Sequence, residues 1–125
     1  MPVKRKKAED SQLADCIAQG MIDKKAKDIV SVNFSKFQNP MFSQFVICHG
    51  TSHTQVEAIA DSIEEVVRKK TGQKPVHREG FQNAEWILLD YFDVVAHIFQ
   101  EKYRHFYKLE DLWADAEIKH IDSEK

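Results

Sequence analysis

Cys48, His49 and His53 are metal-ligand types standing close together in the chain. A zinc ion would need them, with a fourth group, to converge on one tetrahedral point. Cys48, however, closes the apolar run Phe45-Val46-Ile47-Cys48, which reads as an interior strand, and His53 follows Ser52 into a helix. A strand end and a helix start seldom bring three ligands together, and no second cluster supports the site. Cys48 fares no better as a nucleophile, because a thiol inside an apolar strand stays protonated and inert. Ser52 lies between His49 and His53 but lacks the Gly-x-Ser-x-Gly turn that exposes a nucleophilic serine. Gly50-Thr51-Ser52 joins strand to helix, where free N–H groups attract anions. It lacks the longer glycine patterns of phosphate loops, and a role for Ser52 as helix cap accounts for the residue. Asp90 and Asp93 are paired carboxylates able to hold a divalent ion, but they fall at a hairpin tip with no phosphate-binding lysine beside them. His77, His97, His105 and His120 are scattered. The residue types of several chemistries are present; no spacing assembles one.

The elements that would position these residues follow from periodicity. Asp10 or Ser11 caps a helix running to about Ala26, with Leu13, Ala14, Cys16, Ile17 and Met21 at helical spacing and Gly20 weakening it. Residues 28–34 alternate as a strand, and residues 35–43 connect it to the Phe45–Cys48 strand. Ser52 and Gln55 make a capping box. The helix behind them carries the stripe Val56, Ile59, Ala60, Ile63, Val66 and Val67, and stops at Gly72 and Pro75. Residues 76–80 read as extended, residues 86–89 and 94–99 as two strands of a hairpin, and Leu109 to Ala116 as a last helix. The expectation is an α/β domain on a mixed sheet with at least one crossover. It spans residues 11–117, between a flexible basic arm at 1–10 and a polar tail at 118–125.

The composition narrows the classes. A chain of 125 residues with 42% apolar and 30% charged residues is a single globular domain rather than a disordered one. A net charge of −2 argues against a free-standing nucleic-acid binder. No apolar run reaches the roughly 18 residues a membrane span needs, so no membrane is expected. The basic start Lys4-Arg5-Lys6-Lys7 has no apolar segment behind it and is not a secretory signal. The two cysteines show no Cys-x-x-Cys spacing, so reduced thiols and a cytoplasmic location are expected.

The hairpin is two-faced. A turn about Tyr91-Phe92 sets Leu89 opposite Val94, Leu88 opposite Val95, Ile87 opposite Ala96 and Trp86 opposite His97. One face then carries Ile87, Leu89, Val94, Ala96 and Ile98, and is core. The other carries Trp86, Leu88, Asp90, Asp93, Val95 and His97. It suits either a partner-binding patch with a desolvated anchor and polar rim, or a second covered layer with His97 satisfied inside; the pattern alone does not separate them. Tyr-Phe is poor chemistry for a tight turn needing positive φ. Leu109, Leu112 and Trp113 read as packing for the last helix, with the polar tips of Arg104 and Tyr107 at a rim.

An ordered set of residues carries a family pattern: Phe45-Val46-Ile47-Cys48-His49-Gly50-Thr51-Ser52, Glu79-Gly80, Trp86-Ile87-Leu88-Leu89-Asp90, Asp93-Val94-Val95-Ala96-His97-Ile98-Phe99, Arg104, Phe106-Tyr107, Leu109-Glu110 and Leu112-Trp113. Over residues 11–116 the chain closely resembles the ribosomal silencing factor family, RsfS or Iojap. The resemblance implies a translational repressor without enzymatic activity, cofactor or metal. It binds the large ribosomal subunit through the universal ribosomal protein fourteen, blocks association with the small subunit, and damps translation when nutrients are scarce. It implies a nucleotidyltransferase-like superfold without that superfold's catalytic carboxylate pair. Carried over position by position, the contact surface falls on Trp86, Leu88, Asp90, His97, Arg104, Tyr107 and Glu110. Two positions depart from the family pattern: Ser43-Gln44 stand where an Asp is common, and Phe92 stands where the hairpin turn commonly has Gly. Other readings are a nucleotidyltransferase-like enzyme with a divalent metal, a homodimer, and an rRNA contact by the Lys4–Lys7 arm.

Overall fold

The computed structural model describes residues 7–34, 37, 42–107 and 116–121, the side chains of 7–11 and 105–107 excepted. In chain order the elements are α1 (Lys7–Asp23), β1 (Lys27–Asn33), β2 (Gln44–Gly50), α2 (His53–Thr71), β3 (His77–Glu79), β4 (Trp86–Asp90), β5 (Val94–Gln100), α3 (Glu101–Tyr107) and β6 (Glu117–Ile121). The sheet is six-stranded in the order β3-β4-β5-β2-β1-β6. Only β2 and β5 run parallel; the other neighbours are antiparallel. A parallel pair needs a crossover. α2 supplies it, so the mixed α/β class expected from the sequence is the class observed.

Each face of the sheet has its own core. Leu13, Ile17 and Met21 of α1 and Val56, Ile59 and Ile63 of α2 pack with Val46, Ile87, Leu89, Ala96 and Ile98. On the opposite face Val30, Val32, Phe34, Phe45, Ile47, Val95 and Phe99 cluster, with Phe37, Phe42, Trp86, Leu88 and Tyr103 against them. Gly20 does more than weaken α1. A Cβ there would sit 2.6 Å from the Ile63 Cα, so glycine lets the two helices touch backbone to backbone. Ser62 fixes the crossing by donating to the Gly20 carbonyl at 2.8 Å.

The cap of α2 is nearly the expected one. Ser52 Oγ accepts from the Gln55 N–H at 3.1 Å, but the Gln55 side chain accepts from the Thr51 N–H at 2.8 Å instead of from Ser52. Its amide nitrogen donates to the Lys24 and Lys25 carbonyls, tying the α1–β1 turn to the start of α2. Gly72, at φ 76, closes the helix with its N–H on the Arg68 carbonyl.

Several boundaries differ from the sequence reading. α1 begins at Lys7, inside the expected arm, and ends at Asp23 rather than Ala26, because Lys25 turns to φ 60. Glu117–Ile121, of which 118–121 were expected as polar tail, form the edge strand β6 on β1. An edge strand can be polar on both sides, so it carries no apolar alternation to read. The short helix α3 directly after β5 was not expected. The helix expected from Leu109 lies outside the described residues, apart from the buried Ala116.

The hairpin register also differs. Trp86 stands opposite Phe99, Leu88 opposite His97 and Asp90 opposite Val95. The turn is displaced by one residue toward Phe92-Asp93. Phe92 takes φ 83, with the Asp93 N–H on the Tyr91 carbonyl and the Phe92 N–H on Asp90 Oδ1 at 2.7 Å. The local hydrogen bonds hold a phenylalanine in the strained left-handed region that glycine occupies freely. Moving the turn by one residue shifts the pairing by two, and a two-residue shift leaves every side chain on its original face.

Candidate functional site

The second face of the sheet is an aromatic layer that is closed at its centre and open at one margin. β4 and β5 alternate, so Trp86 and Leu88 share a side with Val95, His97 and Phe99. Trp86 stacks on its cross-strand neighbour Phe99 with centroids 4.9 Å apart. Its indole Nε1 donates to Nδ1 of His97 at 3.0 Å. His97 is edge-on to Phe45 at 4.5 Å, and Phe45 in turn meets Phe34 and Phe42. Trp86 and Leu88 remain half-buried at the margin. Beside Trp86 a depression of about 360 Å³ is lined by Gly80, Gln82, Asn83 and Glu85. Glycine is required at position 80, where φ is 88 and a Cβ would overlap the Trp86 carbonyl.

His97 is not a surface group. It is 3% exposed, and burial pulls its pKa down to about 3. The ring is therefore neutral, with Nδ1 unprotonated to accept from Trp86 and the proton on Nε2. Nε2 has no hydrogen-bond partner among the described residues. Its place in the expected contact set is corrected: it orients Trp86 from inside. Phe45 of β2 packs edge-on against its ring, and Phe42 packs in turn on Phe45.

Arg104 is likewise inside, 6% exposed, which corrects its expected place at a rim. The start of β1 is irregular, with Asp28 at φ 49 and the register shifting between Lys27 and Val30. Such a bulge strands carbonyls. Nη1 of Arg104 donates to the Asp28 carbonyl at 2.7 Å and meets Nδ1 of His49 at 3.0 Å. The guanidinium thus pins α3 to the beginning of β1 and the end of β2.

Asp90 is half-buried and serves the hairpin turn. Tyr107 ends α3, but its side chain lies outside the described residues, as does Glu110. Phe92, 66% exposed, and Val76, 68% exposed, flank Asp90, whose carbonyl accepts the Val76 N–H at 2.8 Å. Phe37, Phe42, Phe99 and Tyr103 belong to this layer and were not singled out from the sequence. Phe99 was readable by continuing the alternation of Val95 and His97; the two connecting-loop phenylalanines gave no periodic signal.

The cysteine–histidine group does not assemble. Cys48 is fully buried and desolvation pushes its thiol pKa far up, so it stays protonated. His49 faces Arg104, while His53 is exposed and meets Glu57 at 3.2 Å. Among the described residues no three His, Cys, Asp or Glu side chains gather as a metal site. No helix among them is long and apolar enough to cross a membrane.

A family model described as "Ribosomal silencing factor during starvation" matches residues 6–125. The ribosomal silencing factor RsfS of Halalkalibacterium halodurans is 37% identical over 107 residues, covering 86% of this chain and 90% of that protein. Its counterpart in Bacillus subtilis is 39% identical over 100 residues, 80% of this chain and 83% of the relative. Among solved structures, a crystal structure of a protein from Chromobacterium violaceum superposes with a TM-score of 0.77 at 30% identity, covering 92% of this chain and 95% of that one.

Proposed function

We propose that this chain, which belongs to the family of ribosomal silencing factors, represses translation by binding the large ribosomal subunit through the universal ribosomal protein fourteen and obstructing the small subunit. Family membership itself carries the silencing role, a regulatory role and not a catalysed one. The contact surface we assign centres on Trp86, with Leu88 and Asp90 along the same strand and Tyr107 and Glu110 beyond it. His97 and Arg104 serve it from within, one by aiming the indole and the other by fixing α3.

The observation that carries this reading is the state of Trp86. An indole left partly exposed, yet stacked on Phe99 and hydrogen-bonded to His97, has its orientation set before any partner arrives. An anchor so preorganised loses little side-chain entropy on binding. Tryptophan at the middle of a patch with a polar rim is the usual composition of a binding hot spot. Repression then needs no turnover. Occupancy of one patch places the bulk of the domain where the second subunit must dock.

Several finer readings go with it. The domain works in the cytoplasm, and the Lys4–Lys7 arm adds a minor rRNA contact. The parallel β2–β5 pair bridged by α2 supports kinship with the nucleotidyltransferase superfold. A homodimer, if formed, is an assembly of the same domain.

The test is Trp86→Ala, compared with wild type for binding to purified large subunits. The variant keeps its fold by circular dichroism and loses at least about 2 kcal/mol of affinity, roughly 30-fold. A folded variant that binds as tightly as wild type removes Trp86 from the surface.

A further inference from the structure

The stretch 68–78 holds Arg68, Lys69, Lys70, Lys74 and Arg78 and no acidic residue, in a chain whose net charge is −2. All five side chains are exposed. Three lie in the last turn of α2, where the helix dipole favours cations, and that alone would explain them. It does not explain Lys74 and Arg78. They come from the following loop and from β3, and they converge with Arg68 on one cleft of about 330 Å³, completed by Glu64, Gln73 and Pro75. Arg78 is engaged by Glu64, at 2.6 Å from Nε and 3.3 Å from Nη2, and lies 4.1 Å over the Phe81 ring. Lys69 meets Glu65 at 3.1 Å. Arg68, Lys70 and Lys74 have no ion-pair partner among the described residues.

We propose that this cleft, with Arg68 and Lys74 as the binding cations, is a docking surface for the phosphodiester backbone of ribosomal RNA. The inference rests on the reading that the chain binds the large subunit, and names a second contact within that complex. Arg68 and Lys74 bring two cations from two segments to one concave surface, with Arg78 beside them, which suits a polyanion better than a single carboxylate partner. The geometry relative to the protein-binding face is favourable. Arg78 stands opposite Leu89 and shares its side of the sheet, while Trp86 and Leu88 lie on the other side of the same strand pair. The two surfaces therefore flank the β3 edge, and a domain seated by Trp86 on a ribosomal protein presents its basic flank to neighbouring RNA. The overall acidity of the chain makes this an auxiliary contact and not an independent RNA-binding activity.

The contact is read by its salt dependence. Each phosphate contact adds roughly 0.7–0.9 to the slope of log affinity against log salt. The full chain, the double variant Arg68→Gln, Lys74→Gln, and Trp86→Ala are each titrated onto purified large subunits over a salt series, with folding checked by thermal melting. The double variant is expected to bind at least 10-fold more weakly at low salt, with a slope lower by about 1.5. Trp86→Ala is expected to bind weakly with the wild-type slope. A folded double variant with unchanged affinity and slope overturns the RNA contact while leaving the protein contact standing. Wild-type chain that does not bind large subunits at any salt overturns both.

Discussion

His97 shows how a side chain of ordinary surface chemistry becomes a positioning device. Its imidazole gives Trp86 an acceptor only while Nδ1 is unprotonated. Burial holds its pKa near 3, well below the usual 6.5, so the unfolded chain binds a proton that the folded chain refuses. The unfolded state then carries more protons between about pH 6.5 and 3, and stability falls as pH falls through that window. We expect one proton's worth of slope, about 1.4 kcal/mol per pH unit at most, from this residue. His97→Gln keeps an acceptor within reach of Trp86 and does not titrate. Urea unfolding of the variant from pH 6.5 to pH 4 should lose less stability than wild type. Parallel curves for the two proteins would mean that His97 protonates without opening the fold. The sequence placed His97 on the Trp86 side of the hairpin correctly but left its burial open, because burial depends on which distant residues fold over it. Those residues, Phe42 and Phe45 among them, sit in and beside a loop. Arg104 was misread for a related reason: its partners are carbonyls freed by a bulge in β1, and a bulge leaves no mark in the side-chain pattern.

At the scale of elements, the capped helix α2 and the two hairpin strands were legible because each carries its own signal: Ser52 and Gln55 at the start, Gly72 at the end, and strict alternation along β4. The sides of the hairpin survived an error in its register, since the pairing slid by a whole pleat repeat. β6 was not legible; its residues are nearly all exposed, and only its pairing with β1 makes it a strand. Gly20 was legible as a defect in α1 and not as the contact point of two helices, which requires knowing what lies across from it. That role gives a measurable outcome. Gly20→Ala improves helix propensity by up to about 1 kcal/mol, yet forces α1 away from the Ile63 backbone, and overpacking of this kind costs about 1–3 kcal/mol. We expect a net loss of about 1–2 kcal/mol in chemical denaturation. A gain in stability would show that the crossing opens without penalty.

For the whole molecule, the division of labour is between two faces of one sheet. The helix-covered face is a conventional core and supplies rigidity. The aromatic face is covered at His97 and open at Trp86 and Leu88, so it presents an anchor on a rigid support. Of the two readings left open for this face, a partner patch and a covered layer, each holds for part of it: His97 is covered and Trp86 is partly exposed. The buried thiol of Cys48 and the divergent His49 and His53 belong to the scaffold, and the ordered residue pattern that resembled a ribosomal silencing family was matched across nearly the full chain. On the proposed reading the domain acts by where it sits. The most direct measurement is joining of purified small and large subunits, followed by light scattering, with the large subunits first saturated with this protein. The account predicts that joining falls in proportion to occupancy, and that Trp86→Ala requires about 30-fold more protein for the same effect. Large subunits that carry the protein and still join small subunits at the normal rate and extent would contradict it.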